Sequence, residues 1–295
     1  MELLKTLLRH PLTRQRLLRS FFRAVYWQFV SRINSKGVQW PFVNKTFLWV
    51  KRGMKGATGN VYTGIHEFSE MSFLLHFLRA HDVFVDVGAN VGTYSVLGAG
   101  VCGASVKAFE PVRETFLSLK KNIEINNLSG WVEAKCIAIG SEKSTVFFTS
   151  KHDAMNHVVT DAVEDRNLDM DLISVELDTL DSLLEGVSPI LIKIDVEGYE
   201  TEVLRGAKSI LKSNNLRAII IELNGSGELF GFDESLIHEE LLANGFKPFL
   251  YEPFTRTLEN MIGFGVHNTI YLRDVGFVTQ RLLAAPAFTV LGKQI

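Results

Sequence analysis

Two cysteines in 295 residues, Cys102 and Cys136, are too few for a disulfide framework and stand at no metal-ligand spacing. Their scarcity fits a reducing, cytoplasmic setting. No apolar run approaches the roughly 18 residues a membrane span requires. The N-terminus also lacks the short charged region and uninterrupted apolar stretch of a signal peptide. Excess charge is missing too: 31 Lys and Arg against 33 Asp and Glu leave a formal −2, so no global positive field collects nucleic-acid phosphates. Low-complexity tracts and internal repeats are absent, which argues against linkers and repeat arrays. What is present is an ordinary globular composition, 46% hydrophobic and 22% charged, in a chain long enough to bury a full core.

Residues 1–52 read as an amphipathic helical extension and a short aromatic segment. Leu17, Leu18, Phe21, Phe22, Val25, Tyr26, Phe29 and Val30 recur at helical spacing, with Arg16, Arg19 and Arg23 on another side. Such a basic, aromatic-rich helix suits packing on the main domain, contact with a second subunit in an oligomer, or an anionic membrane surface on the cytoplasmic face. Residues 53–62, with Gly53, Gly56 and Gly59, read as a turn-rich boundary or lid.

From residue 83 the pattern alternates short β-branched runs with helical ones. Strands are expected at 83–87, 106–109, 131–139, 189–194, 218–223, 248–251 and 269–272, with a hairpin formed by 146–149 and 174–177. This order predicts an α/β, doubly wound, mostly parallel sheet with helices on both faces. The expected division is an extension over 1–52, a main domain over 53–275 and a C-terminal extension over 276–295.

Directly after the hydrophobic stretch Val83–Val85 comes Asp86-Val87-Gly88-Ala89-Asn90-Val91-Gly92. Open α/β sheets bind ligands beyond the carboxyl ends of their strands, where strand order reverses. A dinucleotide site wants three glycines in the turn and a helix N-terminus facing pyrophosphate. Here Asn90 replaces the middle glycine and Asp86 precedes the turn. A carboxylate about 4 Å from a phosphate charge costs roughly 4 kcal/mol at an effective dielectric near 20. A phosphate-free, cationic nucleoside such as S-adenosyl-L-methionine removes that conflict. Alternatively, Asp86 merely caps its own turn.

Glu110, 24 residues after Asp86, closes the second strand in Phe109-Glu110-Pro111. A carboxylate at this tip accepts hydrogen bonds from ribose hydroxyls, and Pro111 presets the turn that follows. The third block is Lys193-Ile194-Asp195-Val196-Glu197-Gly198-Tyr199-Glu200. Period-two alternation puts Lys193, Asp195 and Glu197 on one side of a strand end. Asp195 would then lie near the reacting methyl group, Asp195 or Glu197 would take or orient a hydroxyl proton, and Lys193 would hold the carboxylates. A salt-bridged structural cluster is the plain alternative, with Glu200 favoured at the following helix N-terminus. His152 and His157, in a polar loop, are rival bases.

Taken together these blocks, with Asn122-Ile123-Glu124-Ile125-Asn126 behind the second and Val203-Leu204-Arg205-Gly206-Ala207 behind the third, resemble the FkbM family of S-adenosylmethionine-dependent methyltransferases. Glu222 at the next strand tip also matches. The resemblance runs over residues 56–224 and on to 268–272. It implies a seven-stranded methyltransferase fold, cofactor contacts through Asp86, Gly88, Ala89, Asn90, Gly92, Glu110, Pro111 and Asp195, no obligatory metal, and O-methylation of a saccharide, glycolipid or secondary metabolite. Nucleic-acid methylation is disfavoured, because no Asn/Asp-Pro-Pro-aromatic step follows residue 194. A dehydrogenase is disfavoured by Asp86 and Asn90. The remaining alternative is a catalytically silent scaffold that binds the cofactor.

Overall fold

The computed structural model describes residues 2–149, 158–159 and 172–295. Its centre is one sheet of eight strands: β1 (Val83–Val87), β2 (Ser105–Phe109), β3 (Val132–Lys135), β4 (Leu191–Ile194), β5 (Ala218–Glu222), β6 (Lys247–Glu252), β7 (Thr257–Asn260) and β8 (Asn268–Leu272). The spatial order is β7-β6-β8-β5-β4-β1-β2-β3. Strands β1 to β5 run parallel, and β8, β6 and β7 add antiparallel pairings at one edge. The seven expected strands are thus joined by an eighth, β7, a short edge strand. Chain order reverses between β1 and β4, which are neighbours although β2 and β3 lie between them in sequence. That reversal opens a crevice beyond their carboxyl ends.

Both sheet faces are buried, and the side chains divide by period two. Phe84, Leu191, Ala218 and Ile220 join one core, whereas Val85, Val87, Ile192, Ile194, Ile219 and Ile221 join the other. A parallel strand covered on both faces must be apolar on both. The first core also takes in Leu12, Trp27, Leu48 and Val50 from the N-terminal segment and Val278, Phe288, Val290 and Ile295 from the C-terminal one. Helix Val275–Leu283 runs across the boundary expected at 275. The flanking segments therefore share the core of the sheet domain.

Two local expectations are corrected, and two helices carry irregularities. The strand expected over 131–139 is two: β3 ends at Lys135, and Ala138–Ile139 leaves to pair with Leu177 and Asp178 in a separate four-stranded sheet. After β4 two short helices, Glu200–Arg205 and Lys208–Lys212, are separated at Gly206, where a Cβ would stand 1.9 Å from the Gly140 carbonyl oxygen. The helix after β1 continues from Thr93–Val96 into a π-helical stretch, Leu97–Val101. Finally, the turn-rich lid is a helix, Lys55–Thr63. Its glycines serve close approach: a Cβ on Gly56 would stand 2.8 Å from Asn90 Oδ1, and one on Gly59 2.6 Å from the His66 ring.

The asparagines behind the second block act as clips. Asn122, on helix Arg113–Ile125, accepts from the Trp49 N–H at 2.5 Å and donates to the Val91 carbonyl at 2.7 Å. Asn126 accepts from and donates to the backbone of Phe47, both at 2.8 Å. They satisfy strand Phe47–Val50 on the edge away from its hairpin partner, Val38–Pro41, and hold it near the turn after β1.

Candidate active site

The crevice, about 230 Å³, crosses the carboxyl ends of β2, β1, β4 and β5. Toward β3 its walls are apolar: Phe109, Val112, Ile137 and Ile139. Toward β5 they are acidic: Asp195, Glu197 and Glu222, with Glu67 and Glu110 also lining it. Among the described lining residues there is no Lys, Arg or His.

The turn after β1 is shaped by conformations that L side chains avoid. Gly88 has φ +72°, and a Cβ there would lie 1.8 Å from the Asp195 carbonyl oxygen. Only glycine lets the end of β4 close over the turn. Asn90 takes φ +51°, and its side-chain oxygen accepts from the Val91 N–H at 2.7 Å. Gly92 lies outside the crevice lining, because a Cβ there would meet Leu119 at 2.4 Å; it lets helix Arg113–Ile125 pack close. Ala89 lines a smaller recess continuous in its residues with the crevice, shared with Asp86, Tyr94 and Lys193.

Glu110 is held by two backbone donors, Asn90 N–H and Val112 N–H, each at 2.9 Å. Burial pushes its carboxyl up to about 7 against these donors. Pro111 lines the crevice beside it. Asp86 is 1% exposed; Ser95 Oγ donates to its Oδ2 at 2.7 Å, and Oδ1 has no partner among the described residues. Burial raises its carboxyl, with the neighbouring Lys193 charge opposing.

Lys193 stands in register with Asp86 across β4 and β1. Its Nζ donates to Asp195 Oδ2 at 2.6 Å and lies 4.8 Å from the centroid of the Tyr94 ring. The strand ends at Ile194, so alternation does not carry Glu197 into place as expected. Glu197 turns through φ +53°, a left-handed conformation rare for its side-chain type. Asp195, Glu197 and Glu222 thereby bring carboxylate oxygens within 4.8 Å of one another.

Three carboxylates this close do not all ionise at neutral pH. Burial, then the Asp195 and Glu197 charges, pushes Glu222 up to about 9, so it holds a proton at neutral pH. Burial and the Asp195 charge push Glu197 up to about 7. Glu200 faces away from this chemistry: 1% exposed, it accepts from the Val196 N–H at 2.9 Å and braces the turn.

Two contributors lie outside the expected set. Glu67, just before helix Phe68–Phe77, accepts from Tyr94 OH at 2.5 Å and from Asn268 Nδ2 at 3.0 Å, tying the crevice wall to β8. Tyr94 forms the ring under Lys193. Neither sits in a local motif; only the fold joins them. His152 and His157, expected as rival bases, lie outside the described residues.

No helix among the described residues is long and apolar enough to cross a membrane. The arrangement can hold a cationic ligand, shuttle a proton near neutral pH and stack a flat apolar ring. The hexuronic acid methyltransferase AglP of Haloferax volcanii is 32% identical over 153 residues, 51% of this chain and 59% of that protein. Methyltransferase 1 of Beauveria bassiana is 28% identical over 146 residues, 41% of this chain and 57% of that protein. The matches thus span less than two thirds of either relative's length. The crystal structure of methyltransferase FkbM from Methylobacillus flagellatus KT superposes with a TM-score of 0.45 at 17% identity, covering 72% of this chain and 52% of that one. The methyltransferase FkbM domain model matches residues 86–248, more than half of the chain and all three sequence blocks, so this chain belongs to the FkbM methyltransferase family.

Proposed function

We propose that this chain transfers a methyl group from S-adenosyl-L-methionine to a hydroxyl oxygen of a neutral, polyhydroxylated acceptor of saccharide type. The observation that carries the reading is the crevice lining: five carboxyl groups and, among the described residues, no basic side chain. A phosphate-bearing cofactor would meet like charge at each carboxyl that is ionised and a compensating cation at none of the described lining residues. An ammonium and a sulfonium would meet partners. The cofactor supplies an electrophilic methyl group when bound.

The residues divide the work along the sheet. Glu110 would accept from ribose hydroxyls, with Gly88, Ala89, Asn90 and Pro111 forming the backbone cradle and Phe109, Val112, Ile137 and Ile139 covering the base. Asp86 acts through the buried recess it shares with Lys193 and Tyr94, stabilising positive charge there. Asp195, fixed by Lys193, orients the acceptor hydroxyl. Glu197, poised near neutrality, accepts its proton, and alignment of the two reactants contributes about 7–11 kcal/mol.

The same acidic wall favours a hydroxyl over a carboxylate acceptor, since an anion placed about 5 Å from one uncompensated carboxylate costs about 3 kcal/mol at an effective dielectric near 20. The acceptor class named for the Haloferax relative, a hexuronic acid, supports a saccharide but not the reacting group. Cytoplasmic placement, where this cofactor is made and thiols stay reduced, suits the two free cysteines. The test is calorimetry with S-adenosyl-L-methionine and S-adenosylhomocysteine, followed by labelled methyl transfer to neutral and to carboxylated saccharide fractions. Absence of cofactor binding by folded protein overturns the reading; binding without transfer to any fraction points to the silent scaffold.

A further inference from the structure

The net charge of −2 hides a division. Residues 3–66 contain no Asp or Glu and twelve Lys or Arg, so nearly all the acidity lies in the remainder. This basic segment includes helix Leu17–Ile33, whose orientation reverses the usual amphipathic rule. The residues it buries are Ser20, Ala24, Trp27 and Ser31. The large apolar ones point outward: Leu18 is 78% exposed, Phe22 68%, Phe29 63%, Tyr26 60% and Ile33 65%. Their positions, with Phe21 and Val25, recur every three to four residues, so they form one face opposite the buried stripe. Helix Glu2–Arg9 adds outward Leu4 and Leu8.

Cations border that face. Arg19 and Arg23 line a recess of about 280 Å³ with Leu291 and Gly292, and Arg16 Nη1 donates to the Leu291 carbonyl at 3.2 Å. Arg23 Nε is buried without a partner among the described residues. Arg14 and Arg16 are close enough to Lys293 to hold its ammonium pKa below the ordinary value, second to desolvation. Five cations thus gather at one end of an exposed apolar helix, with no acidic side chain in the surrounding sequence.

We propose that helix Leu17–Ile33 seats this protein on an anionic lipid surface, its aromatic and aliphatic face entering the interface and Arg14, Arg16, Arg19, Arg23 and Lys293 taking the headgroup phosphates. Charge complementarity selects the occupant. A protein-covered helix face needs only its apolar residues, whereas a second copy of this chain would bring twelve like-charged residues against twelve. A phospholipid surface supplies both an apolar interior and dense negative charge.

The experiment is sedimentation of the full chain with vesicles of phosphatidylcholine alone and of phosphatidylcholine mixed with phosphatidylglycerol. Binding is expected to the mixed vesicles and to weaken as salt rises. The double variant F22S/F29S should lose binding by about tenfold or more, because two exposed rings are removed from the interface. R16Q/R19Q should lose about fivefold per arginine toward the anionic vesicles. Both pairs lie on the surface, and unchanged melting temperatures would show that the fold is kept. No binding to mixed vesicles, equal binding to both vesicle types, or a dimer that F22S/F29S converts to monomer without altering lipid binding would each overturn the proposal.

Discussion

Lys193 and Asp195, two residues apart, close an ion pair of 2.6 Å in which the lysine is 3% exposed. The lysine charge also faces Asp86 and Glu67, and these anions together hold its ammonium well above the ordinary range despite burial. Removing it would leave several carboxyls uncompensated in a low-dielectric recess. Breaking one partner of a buried pair costs about 3–5 kcal/mol. Lys193→Met should therefore lower stability by that amount in urea titration, and methyl transfer should fall more than stability alone explains.

Glu197 predicts the pH profile. With its carboxyl pushed up to about 7, the proton-accepting form grows as pH rises through neutrality. The rate should climb with an apparent pKa near 7, and Glu197→Gln should abolish that limb while lowering kcat by about 10²–10⁴-fold. A profile unchanged in the variant would remove Glu197 from proton transfer.

Glu222 should behave oppositely. A group held protonated up to about 9 is mimicked by an amide, so Glu222→Gln should keep most activity where Asp195→Asn does not. Chelation by EDTA should leave turnover intact. Loss of activity under both treatments would instead mean that the three carboxylates bind a divalent ion.

Cofactor binding should expel protons. A cation entering beside Glu110 and Glu197, both pushed up to about 7, favours their charged forms. Apparent affinity should increase from about pH 6 to pH 8, and calorimetric heats should differ between phosphate and Tris buffers. Without cofactor the sign of the stability effect is reversed. Folded values above the ordinary 4.5 mean that the folded chain holds more protons than the unfolded one. That stability is full below about 4.5 and is lost as pH rises through about 7. Cofactor-free protein melting higher at pH 8 than at pH 6 would contradict these carboxyl assignments.

Two glycines should separate folding from binding. Gly88→Ala sets a Cβ 1.8 Å from a backbone oxygen at φ +72°, and the protein should lose cooperative unfolding or several kcal/mol of stability. Gly56→Ala gains helix propensity, up to about 1 kcal/mol, yet presses on Asn90 Oδ1 at 2.8 Å. Its melting temperature should hold while cofactor affinity drops.

The sheet and its strand-tip acids were readable because their signals are local. Asp86 and Glu110 close apolar runs of strand length, and Asp195 follows one directly. What was not readable depended on distance along the chain. Gly56 and Gly59 look like turn residues, since close approach and a bend ask for the same amino acid. Glu67 and Tyr94 meet through a hydrogen bond spanning 27 residues. Periodicity located the apolar face of helix Leu17–Ile33 but is symmetrical between inside and outside; Ser20, Ala24 and Ser31 decide it by letting that side pack close. Glu197 reached the cluster by a left-handed turn that alternation does not anticipate.

One hydrogen bond ties the exposed N-terminal helix to the wall of the crevice. Gln28 Nε2 donates to Tyr62 OH at 2.6 Å, and Tyr62 shares helix Lys55–Thr63 with Gly56 on the crevice wall. The outward-facing segment and the rim of the pocket are consequently coupled mechanically. A tilt of helix Leu17–Ile33 would therefore act through this bond on helix Lys55–Thr63, and so on the wall that Gly56 gives the crevice.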